Sequence, residues 1–215
     1  TKASDKNAME LANQFFESGF FQYSEPDLML DNILNCVNDT YFPQQWGLRN
    51  TGQYNGNTGI DIRACDAWNL STGSNINVAV VDQGIQLDHP DLQANIHSLS
   101  YDTENATSPS VVRGDHGTAC AGIIGAVGNT AGIRGVAPNC RLISVSSTLN
   151  LMTTNIKQKL ADGINWSVQN GAHVISNSWG HNDLVSSYID DAITSAITNG
   201  RSGLGCVVVF ATGND

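Results

Sequence analysis

Apolar and polar residues recur with two different periods along the chain after residue 60. Four short runs rich in Val, Ile and other apolar residues predict strands, and the first and the last are expected to be buried on both faces. These runs are 76–81, 141–145, 172–176 and 206–210. Between them, apolar residues recur every three to four positions or fill a short segment, which predicts helices. The predicted helices are 66–70, 116–127, 153–170 and 184–200. Strands and helices that alternate in this way imply a three-layer α/β fold, with a mostly parallel central sheet and helices on both faces.

Residues 1–38 follow a different pattern. The predicted elements there are a helix over 8–19, a strand-like run over 20–23 and a turn at 24–27. Residues 39–59 are polar and rich in Gly and Asn, which is typical of a loop. The chain is therefore expected to contain an N-terminal appendage, 1–38, and one larger domain, 39–215.

The composition excludes several classes of function. Twenty Asp and Glu residues stand against ten Lys and Arg, which gives a net charge of −10 and a pI near 4.6. An acidic surface repels phosphate, so neither a nucleic acid nor an anionic membrane is an expected partner. The chain has no apolar run long enough to predict a membrane span. Neither a CxxC nor an HExxH motif occurs, so a zinc site has no support, and the odd number of cysteines, five, leaves at least one without a partner in this chain.

Polar residues follow three of the predicted strands. Asp82 comes directly after the first strand, Asn177 after the third, and Asn214 shortly after the fourth. A histidine, His116, opens one predicted buried helix. Because ligands of parallel α/β sheets bind beyond the carboxyl ends of the strands, these residues are candidates for a functional site.

The same residues have the chemistry of an acyl-transfer site. An Asp carboxylate can accept a hydrogen bond from a His ring and fix its tautomer, and the His can then act as a general base. An Asn amide can donate a hydrogen bond to a developing oxyanion. Asp82, His116 and Asn214 fit these three roles. The spacing alone leaves a second interpretation open, since an Asp after a strand often caps a turn and Asn and Gly are ordinary turn residues.

Several motifs, taken in order, resemble those of the subtilisin-like serine peptidases over residues 39–215. They are VAVVDQGI, HPDL, DHGTACAGIIGA, RGVAP, VISNSWG and VVVFATGND. The resemblance implies that Asp82 and His116 are catalytic and that Asn214 is the side-chain donor to the oxyanion. It also implies that a segment after the third strand pairs with the substrate backbone and walls the pocket for the residue before the scissile bond. That segment is Ser178, Trp179 and Gly180.

The chain departs from the family pattern in one large respect. The family's nucleophilic serine lies in a Gly-Thr-Ser-Met-Ala-type motif beyond the oxyanion asparagine, and no such motif occurs here. The resemblance therefore implies a catalytic domain that is incomplete at its C-terminus, with the remainder that carries the serine as a partner of this chain. The apolar strand 206–210 is then expected to be poorly covered. Smaller departures are Gln83, where the family usually has Ser or Thr, and Cys120. The latter is expected to be a buried thiol beneath the site with a packing role, and a redox role is the alternative.

A structural Ca²⁺ site is a further expectation from the resemblance. In the family, the Asp of HPDL and a loop after the histidine helix supply oxygen ligands, which suit a hard cation. The corresponding ligands here are Asp91, the side chain of Asn129, and the carbonyls of Val127, Ala131 and Ile133. Asp39 and Gln45 are candidates for an additional ligand. The alternative is a polar loop that the Asp merely caps.

Residues 1–38 resemble the end of a subtilase propeptide, whose last strand fills the substrate cleft. The resemblance lies in FESGFFQYSEPD, and the junction with the catalytic domain would fall between about Leu28 and Asp39. The propeptide would then be an inhibitory partner of the domain that follows it. A non-inhibitory N-terminal extension is the alternative.

The resemblance thus implies a serine endopeptidase that hydrolyses peptides or proteins and is made as an inhibited zymogen. Such an enzyme is expected to be secreted, or to act at the cell surface or in the periplasm. A catalytically inactive, subtilase-like binding module is the competing hypothesis, although the presence of Asp82, His116 and Asn214 favours the enzyme. A nucleotide-binding α/β domain has no support, because no G-x-G-x-x-G motif follows the first strand.

Overall fold

A computed structural model describes residues 8–24, 36–180 and 186–214, which fall into two units. The first unit is 1–36 and the second 37–215. The predicted turn at 24–27 and the start of the predicted helix 184–200 lie partly outside the described residues.

Within residues 8–24 and 36, the described part of the first unit, one helix forms, α1 (Ala8–Glu17), as the sequence predicts. Gly19 follows the helix with φ +73°. This left-handed conformation, which glycine adopts without steric cost, ends the helix. The strand predicted over 20–23 is wrong, because no strand forms there among the described residues. Phe21 instead packs edge-on against Phe15, with ring centroids 5.7 Å apart.

Five parallel strands form the sheet of the second unit, in the order β2-β3-β1-β4-β5. They are β1 (Asn77–Asp82), β2 (Ile96–Asp102), β3 (Arg141–Ser146), β4 (Val174–Asn177) and β5 (Val207–Phe210). The helices are α2 (Ala64–Trp68), α3 (His116–Gly125), α4 (Ile156–Gln169) and α5 (Ser187–Gly203). Two short 3₁₀ turns, Phe42–Gln44 and Gln53–Asn55, lie within the predicted loop 39–59. The predicted strands and helices are thus present with shifted ends, whereas β2 was not predicted.

The central strand, β1, is buried on both faces. Val78 and Val80 lie in one apolar cluster with Ala121 of α3. Ala79 and Val81 lie in the other cluster, with residues of α4 and α5. Because successive side chains of a strand point to opposite faces, one strand contributes to both halves of the core. The expected layers, with helices on both faces of a parallel sheet, are therefore present.

The sequence of α5 predicts that Ile189, Ile193 and Ile197 form one apolar stripe, which is only partly correct. Ile189 is buried, but Ile197 is 54% exposed, and Ala192 and Ala196 are buried instead. A helix turns by 100° per residue, so Ala196, seven residues after Ile189, returns to nearly the same face. Ile197, eight residues after Ile189, points 80° away from that face. The small alanines let the helix pack closely on the sheet.

The strand at 206–210, β5, is buried on one face only, so the prediction of burial on both faces is wrong, whereas the expectation that this strand is poorly covered is met. Val207 and Val209 are 57% and 50% exposed. Val208 and Phe210, on the opposite face, pack against the core. Among the described strands, β5 pairs only with β4.

Three cysteines of the second unit, Cys120, Cys140 and Cys206, are free thiols. Burial raises the pKa of Cys140 to about 11, and it also raises the pKa of Cys206. Among the described residues, no helix is both long and apolar enough to cross a membrane.

A partly buried ion pair connects the loop after β2 to α4. The Lys159 ammonium lies 2.6 Å from Glu104 Oε2, and the Thr148 N–H donates to Glu104 Oε1 at 2.9 Å. Burial alone would raise the pKa of Glu104, but the hydrogen bonds from Lys159 and Thr148 outweigh it and lower that pKa. The folded state therefore favours the charged carboxylate.

Replacement of this carboxylate should change the acid stability of the protein. Because its folded pKa is lowered, Glu104 stabilises the fold at pH values above its unfolded pKa of about 4.3, and this contribution is lost as the pH falls through the folded pKa. We expect Glu104→Gln to lower the free energy of unfolding at pH 7 and to leave it less dependent on pH below about 5. Urea unfolding across pH measures this, with Asp191→Asn, at an exposed site on α5, as the control. Parallel pH profiles for Glu104→Gln and the unmodified protein would contradict the expectation.

Candidate active site

Asp82 is the last residue of the central strand, and its side chain is fully buried. From β1 the chain runs to β2 and β3 on one side of the sheet and to β4 and β5 on the other. A reversal of this kind opens a crevice at the carboxyl ends of the strands. The Gln83 N–H donates to Asp82 Oδ1 at 2.7 Å, so the local backbone orients the carboxylate.

His116 stands at the first turn of α3 and contacts this carboxylate. Its Nδ1 lies 2.8 Å from Asp82 Oδ1 and 3.0 Å from Oδ2. A carboxylate at Nδ1 favours the tautomer with the proton on that nitrogen, which leaves Nε2 free to accept a proton. The side chain of His116 is 51% exposed. The pair thus joins a buried acid to a base that solutes can reach.

Two glycines allow this close approach. Gly84 has φ +89°, and a Cβ at Gly117 would lie only 2.4 Å from the carbonyl oxygen of Gly84. The start of α3 therefore rests directly on the turn that follows Asp82. A side chain at Gly117 would separate the two elements that carry the acid and the base.

The segment after β4 is fixed to the central strand through Trp179. Its indole N–H donates to the carbonyl of Val81 at 2.8 Å, and its ring packs edge-on against Phe210 at 5.2 Å. Ser178 is half-buried and Gly180 is exposed. The predicted segment 178–180 thus lies beside Asp82, at the same edge of the sheet.

Asn214 lies at this edge but does not contact the other two candidates. It is exposed and follows Gly213, which has φ +100°. Its strand, β5, lies two places from β1 in the sheet, which corresponds to about 10 Å between strand axes. The structure therefore joins Asp82 and His116 directly, whereas no hydrogen bond among the described residues links Asn214 to either of them.

Cys120 lies one helical turn after His116 and beneath its ring. The sulfur is 3.8 Å from His116 Nδ1 and 3.9 Å from Nε2. Burial raises the pKa of this thiol, the charge of Asp82 raises it further, and a hydrogen bond with Ser178 opposes the rise. A thiol that resists deprotonation is a poor nucleophile, so the expected packing role beneath the site is favoured over a catalytic one.

One polar residue at this edge, at the end of β2, was not predicted from the sequence. Asp102 ends β2 with a fully buried side chain and forms an ion pair with Arg113, three residues before His116. The available signal was the alternation of apolar and polar residues over 99–102, which is typical of a strand, although here the polar Ser100 and Asp102 are the buried ones.

The proposed calcium ligands surround one loop, 127–133. Asp91 is buried, and its carboxylate accepts hydrogen bonds from the Asn129 side-chain amide at 3.1 Å and the Ile133 N–H at 2.9 Å. The Val127 N–H donates to the Asp91 carbonyl at 2.9 Å. Among the described residues, none donates a hydrogen bond to the carbonyls of Val127, Ala131 or Ile133.

The two additional candidates, Asp39 and Gln45, lie against the same loop. Asp39 Oδ1 accepts a hydrogen bond from the Asn129 N–H at 3.0 Å, and Asp39 Oδ2 lies 2.9 Å from the Arg134 guanidinium. The side chain of Gln45 forms two hydrogen bonds with the backbone of Arg134, at 2.8 and 2.9 Å. Asp39 is thus already neutralised by a cation, whereas Asp91 has no such partner among the described residues.

Comparison with known proteins identifies a family. Residues 73–215 match the family described as the Subtilase family. The "Calcium-dependent protease" of Trichormus variabilis is 35% identical over 195 residues, which cover 80% of this chain and 28% of that protein. The "Dibasic-processing endoprotease" of Schizosaccharomyces pombe is 33% identical over 204 residues, which cover 89% of this chain and 28% of that protein. The chain thus spans less than a third of the length of these relatives.

Solved structures share the fold. The serine protease of Aeromonas sobria, solved in complex with its chaperone, has a TM-score of 0.69 and 26% sequence identity, over 83% of this chain and 32% of that one. Fervidolysin from Fervidobacterium pennivorans, described as a keratinolytic enzyme related to subtilisin, has a TM-score of 0.62 and 26% identity, over 83% of this chain and 26% of that one.

The contact between Gly84 and Gly117 gives a testable prediction. Gly117→Ala places a Cβ against the Gly84 carbonyl, so we expect a loss of about 1–3 kcal/mol in the free energy of unfolding despite the helix preference of alanine. Chemical denaturation measures the loss. Gly47→Ala is the control, because a Cβ at Gly47 has no neighbour within 4 Å. Equal stabilities of the two variants would show that α3 does not depend on this contact.

Proposed function

The chain belongs to the subtilase family, and we propose that it supplies the acid and the base of a serine endopeptidase that hydrolyses peptide bonds in peptides and proteins. The observation that carries the proposal is the contact of His116 Nδ1 with the buried Asp82 carboxylate at 2.8 Å, which leaves Nε2 as the nitrogen that can accept a proton. A base oriented in this way suits proton transfer from a serine hydroxyl.

In the proposed mechanism, His116 Nε2 takes the proton of the serine as its oxygen attacks the scissile carbonyl. The same nitrogen then donates that proton to the leaving amine, while the charge of Asp82 stabilises the imidazolium. We assign the nucleophile to a serine outside these 215 residues, because none of the serines here lies in the family's Gly-Thr-Ser motif. The remainder of the catalytic domain is thus a proposed partner of this chain.

The substrate would lie along the segment that follows β4. We propose that the backbone of Ser178 and Gly180 pairs with the substrate and that Trp179 forms one wall of the pocket for the residue before the scissile bond. The bond of Trp179 to Val81 supports this assignment, since it fixes the segment relative to Asp82. Asn214 would donate its amide to the oxyanion, together with a backbone N–H.

A fluorophosphonate probe tests the function in the intact protein. The probe reacts with a serine only when that serine is activated, so the active enzyme should be labelled and should hydrolyse a peptide substrate. Asp82→Asn should reduce kcat by roughly 10⁴-fold, a magnitude known for other enzymes of this mechanism. Asp88→Asn removes an exposed carboxylate six residues further along and should leave kcat unchanged. An intact protein that binds peptides without labelling or hydrolysis would instead be the inactive binding module.

We further propose that residues 1–38 are the end of an inhibitory propeptide and that residues 39–215 begin the catalytic domain. The sequence FESGFFQYSEPD and the exposed aromatic side chains of this region support the assignment, because a segment that fills a cleft needs apolar side chains to bury. Those side chains are Phe15, Phe16, Phe20, Phe21 and Tyr23. The protein would then be made as a zymogen and act after secretion, at the cell surface or in the periplasm.

We also propose that the loop 127–133 binds a structural Ca²⁺. A buried carboxylate without a cation, at Asp91, and free carbonyls at Val127, Ala131 and Ile133 are the oxygen donors that Ca²⁺ prefers. The Asn129 side chain would join them through its amide oxygen. A bound cation would neutralise Asp91 and fix the loop to the turn that contains it. A relative named as a calcium-dependent protease is consistent with this proposal.

Removal of Asp91 should abolish the effect of calcium on stability. Ca²⁺ that binds only the folded protein raises the midpoint of thermal unfolding as its concentration rises. We expect this increase in the unmodified protein and in Asp88→Asn, whose carboxylate is exposed, but not in Asp91→Asn. Thermal unfolding in EDTA and in millimolar Ca²⁺ measures the difference. A calcium response that persists in Asp91→Asn would place the cation elsewhere.

A further inference from the structure

The mostly buried side chain of Arg113 is held by the carboxylate of Asp102. Among the described residues, Arg113 is the only cation that contacts this carboxylate. Its Nη2 lies 2.6 Å from Asp102 Oδ1 and 2.7 Å from Oδ2, and its Nε lies 3.2 Å from Oδ1. The Asp102 side chain is fully buried, and that of Arg113 is only 21% exposed. A guanidinium that engages one carboxylate through several N–H groups is fixed in orientation as well as in position.

Neutral groups complete the environment of the carboxylate. The Ser146 hydroxyl donates to Asp102 Oδ1 at 2.9 Å, and the Asn105 amide donates to Oδ2 at 2.7 Å. Asp102 ends β2 and Ser146 ends β3, so both anchors belong to rigid elements. The arginine is thus attached to the sheet itself and not to a neighbouring loop.

The backbone around Arg113 is attached to the same edge. The Arg113 N–H donates to the carbonyl of Gln83 at 2.7 Å, directly after Asp82. The Val111 N–H donates to the Ser146 hydroxyl at 3.0 Å, and the Ser110 hydroxyl bonds that of Ser144 at 2.8 Å. The segment 110–113 therefore crosses the ends of β3 and β1, immediately before the chain enters α3.

We propose that the Arg113–Asp102 ion pair is a positioning element for the reaction, which holds the start of α3 so that His116 meets Asp82. This inference rests on the proposed function. Only Gly114 and Asp115 separate Arg113 from His116, so a shift of the arginine is transmitted through two residues to the base. A misplacement of about 1 Å in a reacting group can cost roughly 10²-fold in rate.

The pair acts through His116 and does not contact the reacting atoms. Its two charges neutralise each other and are mostly withdrawn from solvent, so the pair adds little net field at the imidazole. Loss of the Arg113–Asp102 ion pair should therefore disturb the position of His116 more than it disturbs substrate affinity. The effect should appear in kcat rather than in KM.

The test uses the intact protein with Arg113→Met and the milder Arg113→Lys. Lys159→Met is the matched control, because it breaks another partly buried ion pair, Lys159–Glu104, away from His116. Rates are divided by the number of sites that a fluorophosphonate labels. We expect kcat per labelled site to fall 10- to 100-fold in Arg113→Met, with KM within about twofold, and to fall less in Arg113→Lys, which keeps the charge but loses the planar fork. Lys159→Met should lower the unfolding temperature and leave kcat per site unchanged.

A second readout does not require catalysis. The proton on His116 Nδ1, hydrogen-bonded to Asp82, should give a far-downfield ¹H NMR signal in the unmodified protein and in Lys159→Met. Arg113→Met should shift or broaden this signal. If the unmodified protein shows this signal but is not labelled by the fluorophosphonate and does not hydrolyse the peptide substrate, the proposed function is overturned. An Arg113→Met protein that is less stable, yet keeps both the signal and its kcat per site, would overturn the positioning role. If Arg113→Met does not fold, Arg113→Lys decides by the same two measurements.

Discussion

The burial of one carboxylate, Asp82, is the constraint on which the site depends. A charged group can be withdrawn from water only where other groups satisfy it, and here the Gln83 backbone and the His116 ring do so. Those partners are available only because the central strand brings Asp82 to the crevice while the start of α3 lies directly on the turn beyond it. The absence of side chains at Gly84 and Gly117 makes this approach possible. The contact between Asp82 and His116 therefore depends on both the sheet and the close approach of Gly117 to Gly84.

The sequence predicted the parts of this fold that arise from strong local patterns. Five of the six residues of 76–81 are apolar and three are the β-branched Val, which favours a strand buried on both faces, and Asp82 could be placed at its end. β2 was missed because its buried residues Ser100 and Asp102 are polar, so the segment lacks the apolar run that predicts a buried strand, and Asp102 was missed with it. The burial of 206–210 was predicted only in part, because the apolar composition of a strand does not say what packs on each of its two faces.

The candidate site could also be predicted only in part, because its geometry depends on contacts between residues that are far apart in the sequence. The positions Asp82, His116 and Asn214 could be named from the motifs, but the direct contact between Asp82 and His116 depends on how the start of α3 packs on the turn after β1. The proximity of Asp39 and Gln45 to the loop 127–133 was only a candidate in the sequence. The role of Arg134 as the cation for Asp39 could not be anticipated, because neither residue carries a local signal for the other.

The three free thiols have a consequence for how such a chain would survive in an oxidising compartment. Thiol–disulfide exchange proceeds through the thiolate, so a thiol that stays protonated exchanges slowly. Burial raises the pKa of Cys120, Cys140 and Cys206, in the case of Cys140 to about 11. At neutral pH only about one Cys140 in 10⁴ would then be ionised. Burial in the folded domain would thus protect these unpaired cysteines from thiol–disulfide exchange. The period of risk would be the synthesis and folding of the chain.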